Sequence, residues 1–150
     1  MEPPNDVTAA AIVEAYHASW CVGNISGMMG WCHEDVSFYL NTGSPDGSAL
    51  RLYGTSELTA FLAPITSMAT SMTVPSYVSY RDGVARAHIK AFLRHRKTGH
   101  VLHGSFRQVI VFYGHKILGI EEFHDGAKMR AFWEMVRSDE ASMAQIAKED

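Results

Sequence analysis

The stretch VLHGSFRQVIVFYGHKILGIEEF, Val101 to Phe123, decides how the rest of the chain is read. Two runs rich in β-formers, Val101–Tyr113 and Lys116–Phe123, meet at Gly114-His115, a short polar break in which glycine allows a positive φ, so the stretch reads as a long hairpin. Strand alternation puts Leu102, Gly104, Phe106, Gln108, Ile110 and Phe112 on one face and His103, Ser105 and Arg107 on the other. The apolar row should face the core, and Gln108 within it must find a partner or line a cavity. In the second run Leu118, Ile120, Glu122 and His124 share one parity, and Ile117, Gly119, Glu121 and Phe123 the other. Either choice of inner face sets a carboxylate among apolar residues.

Working outward from the hairpin, Asp125-Gly126 stops the second strand, and Asp125 can cap a last helix whose Met129, Phe132, Trp133 and Val136 recur at helical spacing to about Arg137. Residues 139–150 read as a polar tail or frayed helix appended to a single domain over residues 1–138. Upstream, Val84–Arg96 alternates clearly, and Met72–Tyr80 is a strand that Pro75 assigns to a sheet edge or a bulge. Thr55 opens a helix through Leu58, Phe61 and Leu62 that Pro64 should kink or end, because proline lacks the helical donor. Leu50–Tyr53 is a short edge strand, Thr42–Ala49 a loop containing Pro45, and Val36–Leu40 a first strand. At the start, Asp6 can cap a helix to about Val22 whose inward stripe is Ala11, Ile12, Ala15, Tyr16, Ser19 and Trp20. Asn24 caps a second short helix from Ile25 to about Cys32.

This order is α+β, with helices covering one face of a curved antiparallel sheet. A chain of 150 residues suits one domain, and 47% hydrophobic with 19% charged residues matches a soluble globular protein. Thirteen basic against sixteen acidic residues give a net charge of −3, and the only basic run, Arg94-His95-Arg96-Lys97, reads as a surface turn, which argues against a nucleic-acid partner. No apolar run approaches membrane-spanning length, so no membrane association is expected. Cys21 and Cys32, with no CxxC, read as free thiols in a reducing cytoplasm. His100-Val101-Leu102-His103 is not a metal pair, since residues three apart on a strand face opposite ways. With no phosphate-binding glycine loop, GxSxG elbow or dinucleotide fingerprint, neither metal nor cofactor is expected.

Ile12-Val13-Glu14-Ala15-Tyr16, Gly23-Asn24, Glu34-Asp35-Val36, Gly54 leading into a helix, Gly114-His115-Lys116-Ile117, and Phe123-His124-Asp125 before a terminal helix together resemble the nuclear transport factor 2-like superfamily. Within it, they are similar to the SnoaL-like and ketosteroid-isomerase-like proteins, across nearly the whole domain. The resemblance implies a cone: a strongly bent sheet wrapped around three helices, open at one end over an apolar pocket, plus the C-terminal helix. It also implies a homodimer through the outer sheet face, where Arg86, His88, Lys90, Ser105 and Arg107 suit either a polar interface or plain solvent.

Carried over by position, Tyr16 resembles the tyrosine that stabilises an enolate oxyanion in the steroid isomerases. Their general-base aspartate corresponds to Leu40, which cannot move a proton, and their protonated aspartate falls near Gln108. Steroid isomerisation, a worked case of paired acid and base roles, is therefore not implied. The proton acceptor must come from Glu122 or His124, with Tyr16 completing the catalytic candidates. Trp20, Leu40, Phe61, Phe106, Gln108, Ile110 and Ile120 are the expected pocket residues. The function implied is cofactor-free acid–base chemistry, as an isomerase, cyclase or dehydratase, on a small hydrophobic carbonyl compound. The alternatives are a non-catalytic binding protein using the same pocket, or a dimerisation module with a filled cone.

Overall fold

In chain order the elements are α1 (Asp6–Cys21), α2 (Ile25–Gly30), β1 (Cys32–Leu40), β2 (Leu50–Tyr53), α3 (Gly54–Met68), β3 (Ala69–Arg81), β4 (Val84–His95), β5 (Val101–Tyr113), β6 (Lys116–Phe123) and α4 (Gly126–Glu149). This computed structural model describes residues 1–44 and 46–149; Pro45 in the β1–β2 loop and Asp150 at the end of the tail lie outside the described residues. The β5–β6 hairpin forms with Gly114 at φ +57°, the conformation for which glycine is suited. Six strands make one sheet in the order β2-β1-β6-β5-β4-β3. It is antiparallel except where β1 runs parallel to β6.

Sheet parity follows the reading of the hairpin: Phe106, Gln108, Ile110 and Phe112 are buried, while His103, Ser105 and Arg107 are exposed. On β6 the buried Ile120 shares its face with Glu122. Ile117, of opposite parity, is buried too, because a register shift between Val111 and Phe112 turns the end of the hairpin. At the far edge β3 is bulged between Pro75 and Tyr77, so its missing donor lies at the break in pairing. The core between helices and sheet holds Ala9, Ile12, Val13, Leu58, Ile110 and Ile120 among others.

Several details differ from the sequence reading: α2 ends at Gly30, β1 already begins at Cys32, and β3 already begins at Ala69. Asn5, not Asp6, caps α1: its side chain accepts from the Thr8 amide at 2.8 Å, and Asp6 becomes a first-turn acid. The buried stripe of α1 is Ala9, Ile12, Val13, Tyr16 and His17, and Ala11 is exposed. Apolar residues lie nearly all round this alanine-rich helix, so its phase is set by packing. Pro64 lies inside α3, close enough to its end that the helix runs on to Met68. Finally α4 continues well past Arg137, its second half solvent-exposed.

Candidate functional site

The open end of the sheet and the helices α1 and α3 enclose a cavity of about 650 Å³, over which α4 lays Met129, Arg130, Trp133 and Arg137. Much of its wall is apolar, with Trp20, Phe38, Leu40, Phe61, Leu62 and Phe106 prominent. Tyr16, Glu122 and His124 face it as well. Gln108, Ile110 and Ile120, expected on the wall, lie elsewhere. The two isoleucines are sealed in the core, and Gln108, 1% exposed, stands behind Glu122 and His17.

From Gln108 a polar chain runs both ways. Thr73 Oγ1 is 2.7 Å from His17 Nδ1, His17 Nε2 is 2.8 Å from Gln108 Oε1, Gln108 Nε2 is 2.9 Å from Glu122 Oε2, and Glu122 Oε1 is 2.9 Å from His124 Nε2. Hydrogen-bonding capacity dictates its polarity. An ionised carboxylate only accepts, so the Gln108 amide nitrogen must face Glu122 and its carbonyl must face His17. His17 therefore carries its proton on Nε2, and the Thr73 hydroxyl donates to Nδ1. Burial lowers the His17 imidazole below its ordinary value, outweighing the opposite pulls of the Gln108 hydrogen bond and the Glu122 charge, which agrees with this neutral tautomer.

The other end of the chain reaches the cavity. His124 donates from Nε2 to Glu122 Oε1, and its ring stacks on Phe106 with centroids 4.1 Å apart and planes 20° apart. Asn41, at the end of β1, fixes the backbone beneath it: its Nδ2 donates to the His124 carbonyl at 3.0 Å, and its Oδ1 accepts from the His124 amide at 2.8 Å. Asp125 then starts α4, accepting the Lys128 amide at 3.1 Å. The imidazole is thus set by a stack, a carboxylate and a clamped backbone. Its Nδ1 has no hydrogen-bond partner among the described residues.

Tyr16 is 2% exposed, and its hydroxyl has no hydrogen-bonding partner among the described residues. No sealed side-chain polar atom among them lacks a partner, so the hydroxyl opens onto the cavity. Burial first, then the Glu122 charge and Cys32, push the phenol well above its usual range, which keeps it a proton donor.

The sequence reading put Tyr16, Glu122 and His124 in one site, and the fold brings all three to one cavity. It missed His17 and Thr73, which tie α1 and β3 to the hairpin. The one signal for His17 was its spacing, four residues beyond Val13 and one beyond Tyr16. Of the two histidines of the His100-Val101-Leu102-His103 run, His103 lines the cavity mouth and His100 pairs with Asp139 on α4.

Architecture and cavity can be set beside solved structures. A candidate polyketide cyclase from Xanthomonas campestris pv. campestris superposes with a TM-score of 0.75 at 17% identity, over 86% of this chain and 98% of that one. An NTF2-like protein of unknown function from Burkholderia pseudomallei K96243 gives 0.74 at 16% identity, over 83% and 96%. The chain has the nuclear transport factor 2-like fold. TerC, co-crystallised with polyporic acid, shares this NTF2-like cone with a TM-score of 0.73 at 16% identity, over 85% and 98%. No protein-family model matches the sequence, and a search of the curated proteins gives no match. Among the described residues of the NTF2-like cone, no helix is long and apolar enough to cross a membrane.

Proposed function

We propose that this protein is a SnoaL-like, cofactor-independent acid–base catalyst, of the isomerase, cyclase or dehydratase type, acting on a small apolar carbonyl compound held in the cone. The observation that carries this reading is the Glu122–His124 pair on the wall of a largely apolar cavity, with the second Glu122 oxygen occupied by buried Gln108. His124 Nδ1 is the proton acceptor. Glu122 orients the ring and stabilises its imidazolium form, a role a carboxylate fills by accepting from the far ring nitrogen. The Tyr16 hydroxyl donates to the oxygen on which enolate charge develops. Leu40 stands where the resemblance places the steroid isomerases' base, and Glu122 is its register partner on the neighbouring strand β6. The acidic group has the same height in the cone but a different strand, so the substrate is not a steroid presented as in those enzymes.

The same cavity supports a second reading, a binding protein without turnover, because both Glu122 oxygens are already hydrogen-bonded. A panel of unsaturated ketones and small cyclic precursors, including a Δ5-3-ketosteroid, separates the two. Turnover that falls in Glu122→Gln and His124→Ala supports catalysis, efficient steroid isomerisation contradicts the strand argument, and binding without turnover favours the carrier. We further propose a homodimer through the outer sheet face, where Arg86, His88, Lys90, Ser105 and Arg107 are exposed. Sedimentation equilibrium at micromolar concentration tests it, and a monomer throughout refutes it. Free Cys21 and Cys32 support a reducing, cytoplasmic setting.

A further inference from the structure

The cavity mouth has a chemistry its interior lacks. Five formally charged side chains line the space: Glu122, Asp125, Lys128, Arg130 and Arg137. Glu122 is engaged by Gln108 and His124, Asp125 caps α4, and Lys128 Nζ donates to the His103 carbonyl. Arg130 and Arg137 have neither an ion pair nor a hydrogen bond among the described residues, and they lie two helical turns apart on the α4 face that also carries Trp133. Arg130 is not simply trailing into solvent. Its guanidinium lies against Gly47 of the β1–β2 loop, where φ is +84° and a Cβ would come within 2.6 Å of Nη2. The side chain therefore reaches from α4 to the opposite lip of the mouth. Two guanidiniums, each a planar fork of donors, flank an indole over an apolar cavity in a chain whose net charge is −3.

We infer that the ligand is amphipathic: an apolar ring system enters the cone, and a carboxylate, or an equivalent planar acidic group, stays at the mouth between Arg130 and Arg137. This rests on the reading of the cavity as a ligand site and adds the class of ligand and its direction of entry. Apolar wall alone would accept either end of a carbonyl compound, whereas a charge-assisted fork at the rim selects one orientation. That orientation leaves the carbonyl end facing Tyr16 and His124.

The test compares naphthoate with acetylnaphthalene, the same ring with and without charge, by titration calorimetry on the 150-residue chain. Wild type should bind naphthoate about tenfold more tightly, as two charged hydrogen-bonding forks at an exposed rim allow, and the preference should shrink as salt rises. In Arg130→Gln/Arg137→Gln the preference should fall to within about threefold while acetylnaphthalene affinity holds, which also reports an intact cone. Lys97→Gln, which removes an exposed charge from the β4–β5 turn, should keep the preference. Equal affinities in wild type, or a preference that survives the double substitution, would overturn this inference alone. Failure of both compounds to bind would overturn it together with the pocket reading.

Discussion

Gln108 and Glu122 are register partners across the β5–β6 hairpin, and the Gln108 amide donates to the Glu122 carboxylate at 2.9 Å. The pairing turns a neutral residue in an apolar strand row into the support of a cavity-lining carboxylate bonded to a histidine. Replacing Gln108 with leucine would strand two groups at once, the His17 Nε2–H and one Glu122 oxygen. Gln108→Leu should destabilise the fold by roughly 2–5 kcal/mol, as expected when buried polar and charged groups lose partners. A urea-denaturation midpoint shifted down at constant m-value would confirm it, and an unchanged midpoint would show that the chain does not need the glutamine.

His17 makes stability depend on pH. Its folded-state pKa lies below the ordinary imidazole value of 6.5, chiefly because burial penalises the cation. The folded state thus binds fewer protons than the unfolded one between the lowered pKa and the ordinary one. Stability from this group is fully present above the unfolded value and is lost as pH falls from there through the folded value. The slope contributed is at most about 1.4 kcal/mol per pH unit. Denaturation series across this interval should show the slope in wild type and a shallower one in His17→Gln.

Cys32 is buried, and loss of hydration pushes its thiol up to about 12, against a smaller opposing pull from Lys116. Thiolate, the nucleophile that is alkylated, is therefore scarce there at neutral pH. Iodoacetamide should leave Cys32 unmodified in the folded protein and label it in urea. Mass mapping of rapid native alkylation at Cys32 would contradict the packing of α2 against β1.

The fold was legible because its longest strands alternate cleanly and their turns carry glycine. Val84–His95 and Val101–Phe123 alone define a three-stranded meander with a known inner face. The alternation of the second strand left Glu121 and Glu122 both open as the inward carboxylate, and the register of the folded hairpin, Gln108 opposite Glu122, selects Glu122. His17 was hidden for a physical reason: in Ala9-Ala10-Ala11-Ile12-Val13-Glu14-Ala15-Tyr16-His17, alanines fill both faces, and only contact with β3 selects the face holding the histidine. The arginines of α4 were also illegible. Charges on a terminal amphipathic helix read as a solvated face until the sheet curves beneath them. Ile110 and Ile120 have the inward parity expected of wall residues, but parity does not give depth along the cone.

Acid–base chemistry by the Glu122–His124 pair is most directly measured as exchange of α-hydrogens for deuterium in apolar cyclic ketones such as tetralone, followed by proton NMR. This signal requires proton abstraction beside a carbonyl and nothing downstream of it. Wild type should exchange faster than buffer, and His124→Ala should lose at least about tenfold of that acceleration, at the lower end of the range for a positioned base. Glu122→Gln, which keeps the shape but removes the charge that stabilises the imidazolium, should also be slowed. Exchange at the buffer rate in wild type, or enzymatic exchange untouched by both substitutions, would contradict the account.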